Sequence, residues 1–277
     1  MKRHAYVLAG DPAWLGHSVG SYYPFVDRII VSYDRRGLSW SGHPMSVSQA
    51  LERVRWLDRD AKVVLLPGDH SDPDRPVLQV ETEQRQRALD AAGEGADWVL
   101  QLDTDEVPLN MTSLLGAIDS AHRTGADGLD YPLRDLYQQV SGGQFLERCG
   151  RLWTSQASFP GPVAVRAGTR LSHCRQAEVP LFRVDFAAHN TDPWHPARAR
   201  VDAVVEKDKG IAHLSWVRSA EQMREKATTS GYASQIDWPV ELRRWEWRRR
   251  HPLLTVVTTP LQARRSRFRL TFLPVPG

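Results

Sequence analysis

The sequence predicts an α/β fold, a Rossmann-type, mainly parallel sheet flanked by helices. Three observations carry that prediction. Short apolar, β-branched runs alternate with helical patterns over the first 105 residues, as in successive βαβ units. Most of the runs stop at a Gly, Pro or Asp, where a strand gives way to a turn. Hydrophobic residues make up 41% and charged residues 25% of the 277, enough apolar material for a core. That balance excludes a disordered chain, a collagen-like chain and a disulfide scaffold.

His4–Ala9 reads as the first strand and breaks at Gly10-Asp11-Pro12. Residues 13–24 follow as a helix, and Asp27–Tyr33 is a buried strand running into Asp34. Val47, Leu51, Val54 and Leu57 recur at helical spacing over 46–57. Ala61–Leu66 is the third strand, closed by Pro67-Gly68, and 77–92 is the next helix. Trp98–Leu102 is the fourth strand, followed at once by Asp103-Thr104-Asp105-Glu106. Residues 112–123 read as a helix, 128–137 as a strand, 211–216 as a short strand and 219–229 as a helix. Between 142 and 185 the pattern is irregular. Three sections result: a nucleotide-binding half (1–110), an acceptor-side half of the same domain (111–239) and a basic extension (240–277).

No apolar run reaches the ~18 residues of a membrane span. The basic, then apolar start is too short for a leader peptide and reads as a strand. Cys149 and Cys174 have no metal-type spacing and fit a reducing cytoplasm, or one disulfide.

The net charge of +3 is unevenly spread. Nine arginines and one acid, Glu246, lie from 243 onward, about +8, which leaves the rest near −5. Three readings fit this tail: a helix packing through Trp245 and Trp247, a peripheral contact with an anionic membrane face, and nucleic-acid binding. The last is not expected, because the rest of the chain is acidic and lacks a recognition motif.

Asp-x-Asp triplets occur at 58/60, 72/74 and 103/105. The first two read as solvated charge. In the third an apolar strand runs straight into three acids, and carboxylates at a sheet edge need a counter-charge. A divalent cation with oxygen ligands, Mg²⁺ or Mn²⁺, would supply it; an acidic loop with capping roles is the alternative. Asp11, Asp34 and Asp103/Asp105 all stand at strand ends, and there they would converge on the ligand-binding edge of a doubly wound sheet.

Gly95-Ala96-Asp97-Trp98 through Leu102-Asp103-Thr104-Asp105-Glu106 resembles the strand-D-x-D-E signature of family 2-like glycosyltransferases of GT-A fold. The strand ending at Asp34, the helix with Gln84, Arg85 and Arg87, the run Gly210–Trp216 with His213, and Lys226 on the next helix resemble further parts of that family, over roughly residues 4–235. One feature departs from it: the usual Asn-Glu after the first strand is Gly10-Asp11-Pro12 here.

The resemblance implies a metal held by Asp103, Asp105 and His213, neutralising a diphosphate leaving group. It implies nucleotide contacts at Asp11, Asp34, Arg85, Asp103 and Lys226. Ordinary structural roles are the alternatives: a turn at Asp34, a core histidine at 213, solvated helix faces at Arg85 and Lys226. An inverting transferase also needs a general base in the acceptor half. Asp192 is the first candidate, with Trp194 as a stacking platform, and Asp135 and Glu147 are its rivals. The function so implied is metal-dependent, inverting transfer of a sugar from a nucleoside diphosphate, UDP favoured over GDP. The hydroxyl acceptor would be a glycan, a lipid-linked molecule or a small molecule, and the setting the cytoplasm or the inner membrane face. The alternatives are a metal-dependent sugar nucleotidyltransferase, for whose usual Gly-rich loop only Gly10 is available, and a non-catalytic binder acting through the basic tail.

Overall fold

The computed structural model describes residues 1–229, 236–263 and 266–273. Arg264 and Arg265 of the basic tail lie outside the described residues. The first half folds as β1 (Arg3–Leu8), α1 (Leu15–Tyr22), β2 (Arg28–Asp34), α2 (Val47–Leu57), β3 (Val63–Gly68), α3 (Val77–Gly93) and β4 (Trp98–Gln101). It continues with β5 (Glu106–Pro108), α4 (Met111–Arg123), β6 (Gly128–Asp130), β7 (Leu133–Ser141), β8 (Gln144–Arg148), β9 (Ala164–Arg166), β10 (Leu181–Asp185) and β11 (Ala203–Val204). β12 (Ile211–His213), α5 (Ala220–Thr229), α6 (Trp238–Arg250), α7 (Pro252–Val257) and β13 (Phe268–Phe272) complete it.

Two sheets form. The larger is ordered β11-β10-β6-β9-β4-β1-β2-β3. Its pairs are parallel except where β9 runs antiparallel to β4 and β6. This is a mixed α/β fold of Rossmann type with a mostly parallel sheet flanked by helices. Alternation along the strands explains why both faces are covered. Ala5 and Val7 of β1, Ile29 and Val31 of β2, and Trp98 and Leu100 of β4 join a core with α1, α2 and α4. The residues between them, Tyr6, Ile30 and Val99, meet Ala88, Leu89 and Ala92 of α3 on the other face.

The smaller sheet, β13-β8-β7-β12-β5, is the part that composition does not announce. The expected single strand over 128–137 is split into β6 and β7 at Tyr131-Pro132, because proline cannot donate to a ladder. β6 stays in the large sheet and β7 crosses to the small one. The sections drawn at 110 and 240 are therefore not breaks in the fold. β6, β9, β10 and β11 extend the large sheet, and the basic tail completes the small one through β13. Trp238 and Trp245 pack into its core beside Tyr137, Leu146, Met223 and Phe268. Trp247, expected to pack with Trp245, is exposed.

Candidate active site

A cavity of about 500 Å³ opens beyond the carboxyl ends of β1, β2 and β4. The strand order reverses between β1 and β4, and ligands bind at such switch points. Asp11 after β1, Asp34 at the end of β2 and Asp103, Asp105 and Glu106 after β4 all line it, with Arg85, His213 and Lys226.

The acidic turn closes on itself. The Asp103 N–H donates to Glu106 Oε2 (3.1 Å) and the Glu106 N–H to the Asp103 carbonyl (3.1 Å). Glu106 then begins β5, whose antiparallel partner β12 sets His213 opposite Glu106. β12 also runs parallel to β7, which sets His213 beside Asp135. Strand register thus brings His213 to the acidic turn from far along the chain. Its Nε2 faces Asp105 Oδ1 at 3.8 Å, and its Nδ1 donates to Asp135 Oδ1 at 2.9 Å. Burial would lower the His213 pKa, but the Asp135 hydrogen bond and the Asp105 and Asp135 charges raise it to about 9.

Counter-charges for the three acids are present in the chain itself. Glu106 is fully buried and holds Arg175 in a bidentate pair at 2.6 and 2.7 Å. Asp103 meets Arg85 at 2.9 Å and Arg175 at 3.8 Å. Asp105 meets Arg218 at 3.2 Å and Lys226 at 3.7 Å. Burial opposes ionisation of Asp105, yet Lys226, His213 and Arg218 hold its carboxyl well below the usual range. Burial lowers the Lys226 pKa, and its ammonium donates to Ser215 Oγ at 2.6 Å. Arg218 also takes Asp11 Oδ2 at 2.5 Å, tying the β1 loop to the acidic turn. Among the described residues no group of three or more His, Cys, Asp or Glu side chains is arranged to hold a metal.

At the other end of the cavity, Asp34 organises a loop. Its oxygens accept the backbone N–H groups of Arg36 (2.9 Å), Leu38 (3.3 Å) and His70 (2.7 Å). Burial works against ionisation there, but these N–H groups and Arg36 hold the carboxyl below the usual range. The loop carries Trp40, whose indole N–H donates to Gln84 Oε1 at 2.6 Å; the Gln84 amide in turn reaches Ser32 Oγ at 3.2 Å. Arg85 on α3 holds Glu81 at 2.8 Å as well as Asp103.

Three of the proposed acids lie off the cavity wall. Asp192 is 1% exposed, accepts from the Phe159 and Trp194 N–H groups and pairs with His195 Nδ1. These contacts fix a loop, and Asp192 is not among the residues that line the cavity. Asp135 stands behind His213 and orients it. Glu147 is buried between Arg134 and Arg269.

Sequence reasoning passed over Arg175, Arg218 and Trp40. Arg218 follows the histidine strand and precedes Lys226, a spacing that does place cations near β12. Arg175 comes from the Gly/Pro-rich stretch, where no periodicity marks it. Its backbone packs against Gly161, where φ is +148° and an added Cβ would lie 3.1 Å from the Arg175 carbonyl oxygen.

No family model matches the chain, and no curated protein does. The glycosyltransferase resemblance thus rests on the residues quoted for it. Solved structures with partial likeness include mannose-6-phosphate isomerase from Helicobacter pylori, at 12% identity and TM-score 0.30, over 51% of this chain and 52% of that one. Another is 4-diphosphocytidyl-2C-methyl-D-erythritolsynthase from Anaerococcus prevotii, at 11% and 0.31, over 60% and 70%. A third is mannose-1-phosphate geranyltransferase from Thermus thermophilus, at 15% and 0.29, over 61% and 51%. The chain spans about half the length of the first of these.

Proposed function

We propose that the chain is a metal-dependent glycosyltransferase that uses a nucleoside-diphosphate sugar, with UDP the favoured nucleotide. The observation that supports this most is the meeting of Asp105, His213, Arg218 and Lys226 at one end of the switch-point cavity, with Trp40, Gln84 and Asp34 at the other. The first group suits a diphosphate and the second a nucleoside.

Asp105 Oδ1 and His213 Nε2 stand too far apart for a hydrogen bond, and the Asp135 contact leaves Nε2 directed at the acid. A carboxylate behind a histidine is a common support for a metal ligand. The remaining positions of a Mg²⁺ or Mn²⁺ ion usually fall to water and substrate phosphate, not to an all-protein cage. Asp105 and His213, with Asp103 beside them, are the residues that would hold it, with loss of the His213 proton. Bound there, the ion would neutralise charge on the leaving diphosphate. Lys226 and Arg218 add fixed positive charge at the same point. The cavity continues to Trp216 and Trp238, an aromatic wall suited to an acceptor.

Sugar nucleotidyltransfer is the second reading. It uses the same parts, and the arginines around the acidic turn, Arg85, Arg175 and Arg218, would suit a triphosphate as well. The product separates the two reactions: a nucleoside diphosphate for glycosyl transfer, pyrophosphate for nucleotidyl transfer.

The test is calorimetry of UDP with and without Mn²⁺ on the native chain and on Asp105→Asn. The native chain should bind UDP at least tenfold more tightly with Mn²⁺. The variant should lose that difference. It should keep metal-free UDP binding, because Arg218, Lys226 and protonated His213 then face the phosphate without their acid. Equal Mn²⁺ dependence in the two proteins would sink the assignment.

A further inference from the structure

The α7 segment presents an exposed apolar face on which none of the described residues packs closely. Leu253, Leu254, Val257 and Leu261 are 68%, 54%, 71% and 89% exposed. The first three recur at i, i+1 and i+4 on α7, one face of a helix, while Thr255 between them is buried. Leu152 stands 67% exposed beside them, because the Trp153 indole docks on the Val256 carbonyl at 3.4 Å. Leu152 and Trp153 both adopt left-handed φ, +56° and +60°, which bulky residues rarely do without a reason.

Positive charge borders this face. Arg243, Arg244 and Arg248 line a groove with Thr255 and Thr258 of the α7 segment. Arg249 and Arg250 end α6 next to it and are exposed. Among the described residues Arg243 and Arg249 have no acidic partner. Apolar side chains projecting from an arginine border match an anionic bilayer, in which acyl chains lie beneath phosphates. A second copy of this chain would match less well, since five separate aliphatic side chains bury far less than a stable dimer needs.

The geometry points to α6, α7 and the Leu152 turn as a docking surface for an anionic phospholipid membrane. Leu152, Leu253, Leu254, Val257 and Leu261 enter the headgroup–acyl boundary, and Arg243 and Arg249 take lipid phosphate. α6 starts at Trp238 on the cavity wall and runs about 20 Å to this surface. The inference goes beyond the proposed transfer reaction and does not depend on it.

Sedimentation of the full chain with phosphatidylcholine vesicles, with and without phosphatidylglycerol, tests it. Phosphatidylglycerol should strengthen binding roughly tenfold or more, and added salt should reverse the gain. Leu254→Asp/Val257→Asp should lose binding to both vesicles. Arg243→Ala/Arg249→Ala should lose only the phosphatidylglycerol preference. Leu261→Asp, outside any α-helix, should weaken binding without touching the fold. Unchanged binding in the apolar variants would overturn the inference, and so would a native chain that dimerises without lipid and ignores vesicles. The UDP affinity of the same proteins reads the other site, so the two proposals fail separately.

Discussion

A group that takes a proton from an acceptor hydroxyl needs a carboxylate oxygen free to face it. The cavity's other acids are ion-paired: Asp11 and Asp105 with Arg218, Asp34 with Arg36, Glu81 and Asp103 with Arg85, Glu106 with Arg175. Among the described residues Glu225, exposed on α5 at the cavity rim, is the lining acid without such a partner. Glu225→Gln should therefore lower turnover by roughly 10²–10⁴-fold, the usual worth of general-base help, with donor affinity unchanged. Asp192→Asn is the control, since it should leave turnover intact. Steady-state kinetics of the two variants decide it, and a fall in turnover for Asp192→Asn alone would reverse the assignment. At this scale the sequence is a partial guide. Asp105 was legible because an apolar strand runs straight into it. Glu225 was not, because an exposed helical glutamate looks the same wherever the helix lies.

The small sheet is organised by one buried ion group. Arg134 on β7 pairs with Glu147 on β8 at 2.7 and 2.9 Å and bonds Thr271 on β13 at 2.8 Å. Arg269 on β13 adds a third bond to Glu147 at 2.8 Å. Burial would raise the Glu147 pKa, but the two arginines outweigh it and hold the carboxyl below its ordinary 4.5. A folded value below the unfolded one gives stability that is complete above the unfolded value and lost as pH falls through the folded one. The native chain should therefore lose melting temperature below about pH 4.5, the ordinary glutamate value. Glu147→Gln should melt lower at pH 7, because Arg134 is left buried without its charge partner, and should lose less on acidification. Melting curves at pH 3 to 7 for both proteins check this; parallel pH profiles would refute it. The strands β1 to β4 of the large sheet and the helices between them were legible within two or three residues, since βαβ alternation is a local signal; β9, β10 and β11 were not. The small sheet was not, because its register joins β5, β7, β12 and β13 across long stretches of chain, and β5 is three residues long.

At the scale of the molecule, the basic tail belongs to the core of the fold. Its arginine density hides a packing pattern. Trp238 and Trp245 are seven residues apart, two helical turns, and both face the small sheet. The Trp245 indole N–H donates to the Trp216 carbonyl at 3.1 Å, and Arg248 lies over the Tyr137 and Phe268 rings. Burying a large apolar side chain is worth about 1.5–3 kcal/mol. Losing Trp238, Trp245 and Phe268 together thus removes roughly 5–9 kcal/mol, against a total stability of about 5–15 kcal/mol for a typical domain. A chain ending at residue 237 would also leave the β8 edge unpaired and Glu147 without Arg269, while Trp216 on the cavity wall would lose its stacking partner Trp238, 5.9 Å away. Such a chain should therefore precipitate or melt far below the full one, and it should lose UDP binding with its fold. A tail that served only to hold a partner predicts the opposite. Expression of residues 1–237 with thermal melting and UDP calorimetry separates the two, and an unchanged melting temperature would return the tail to the status of an appendage.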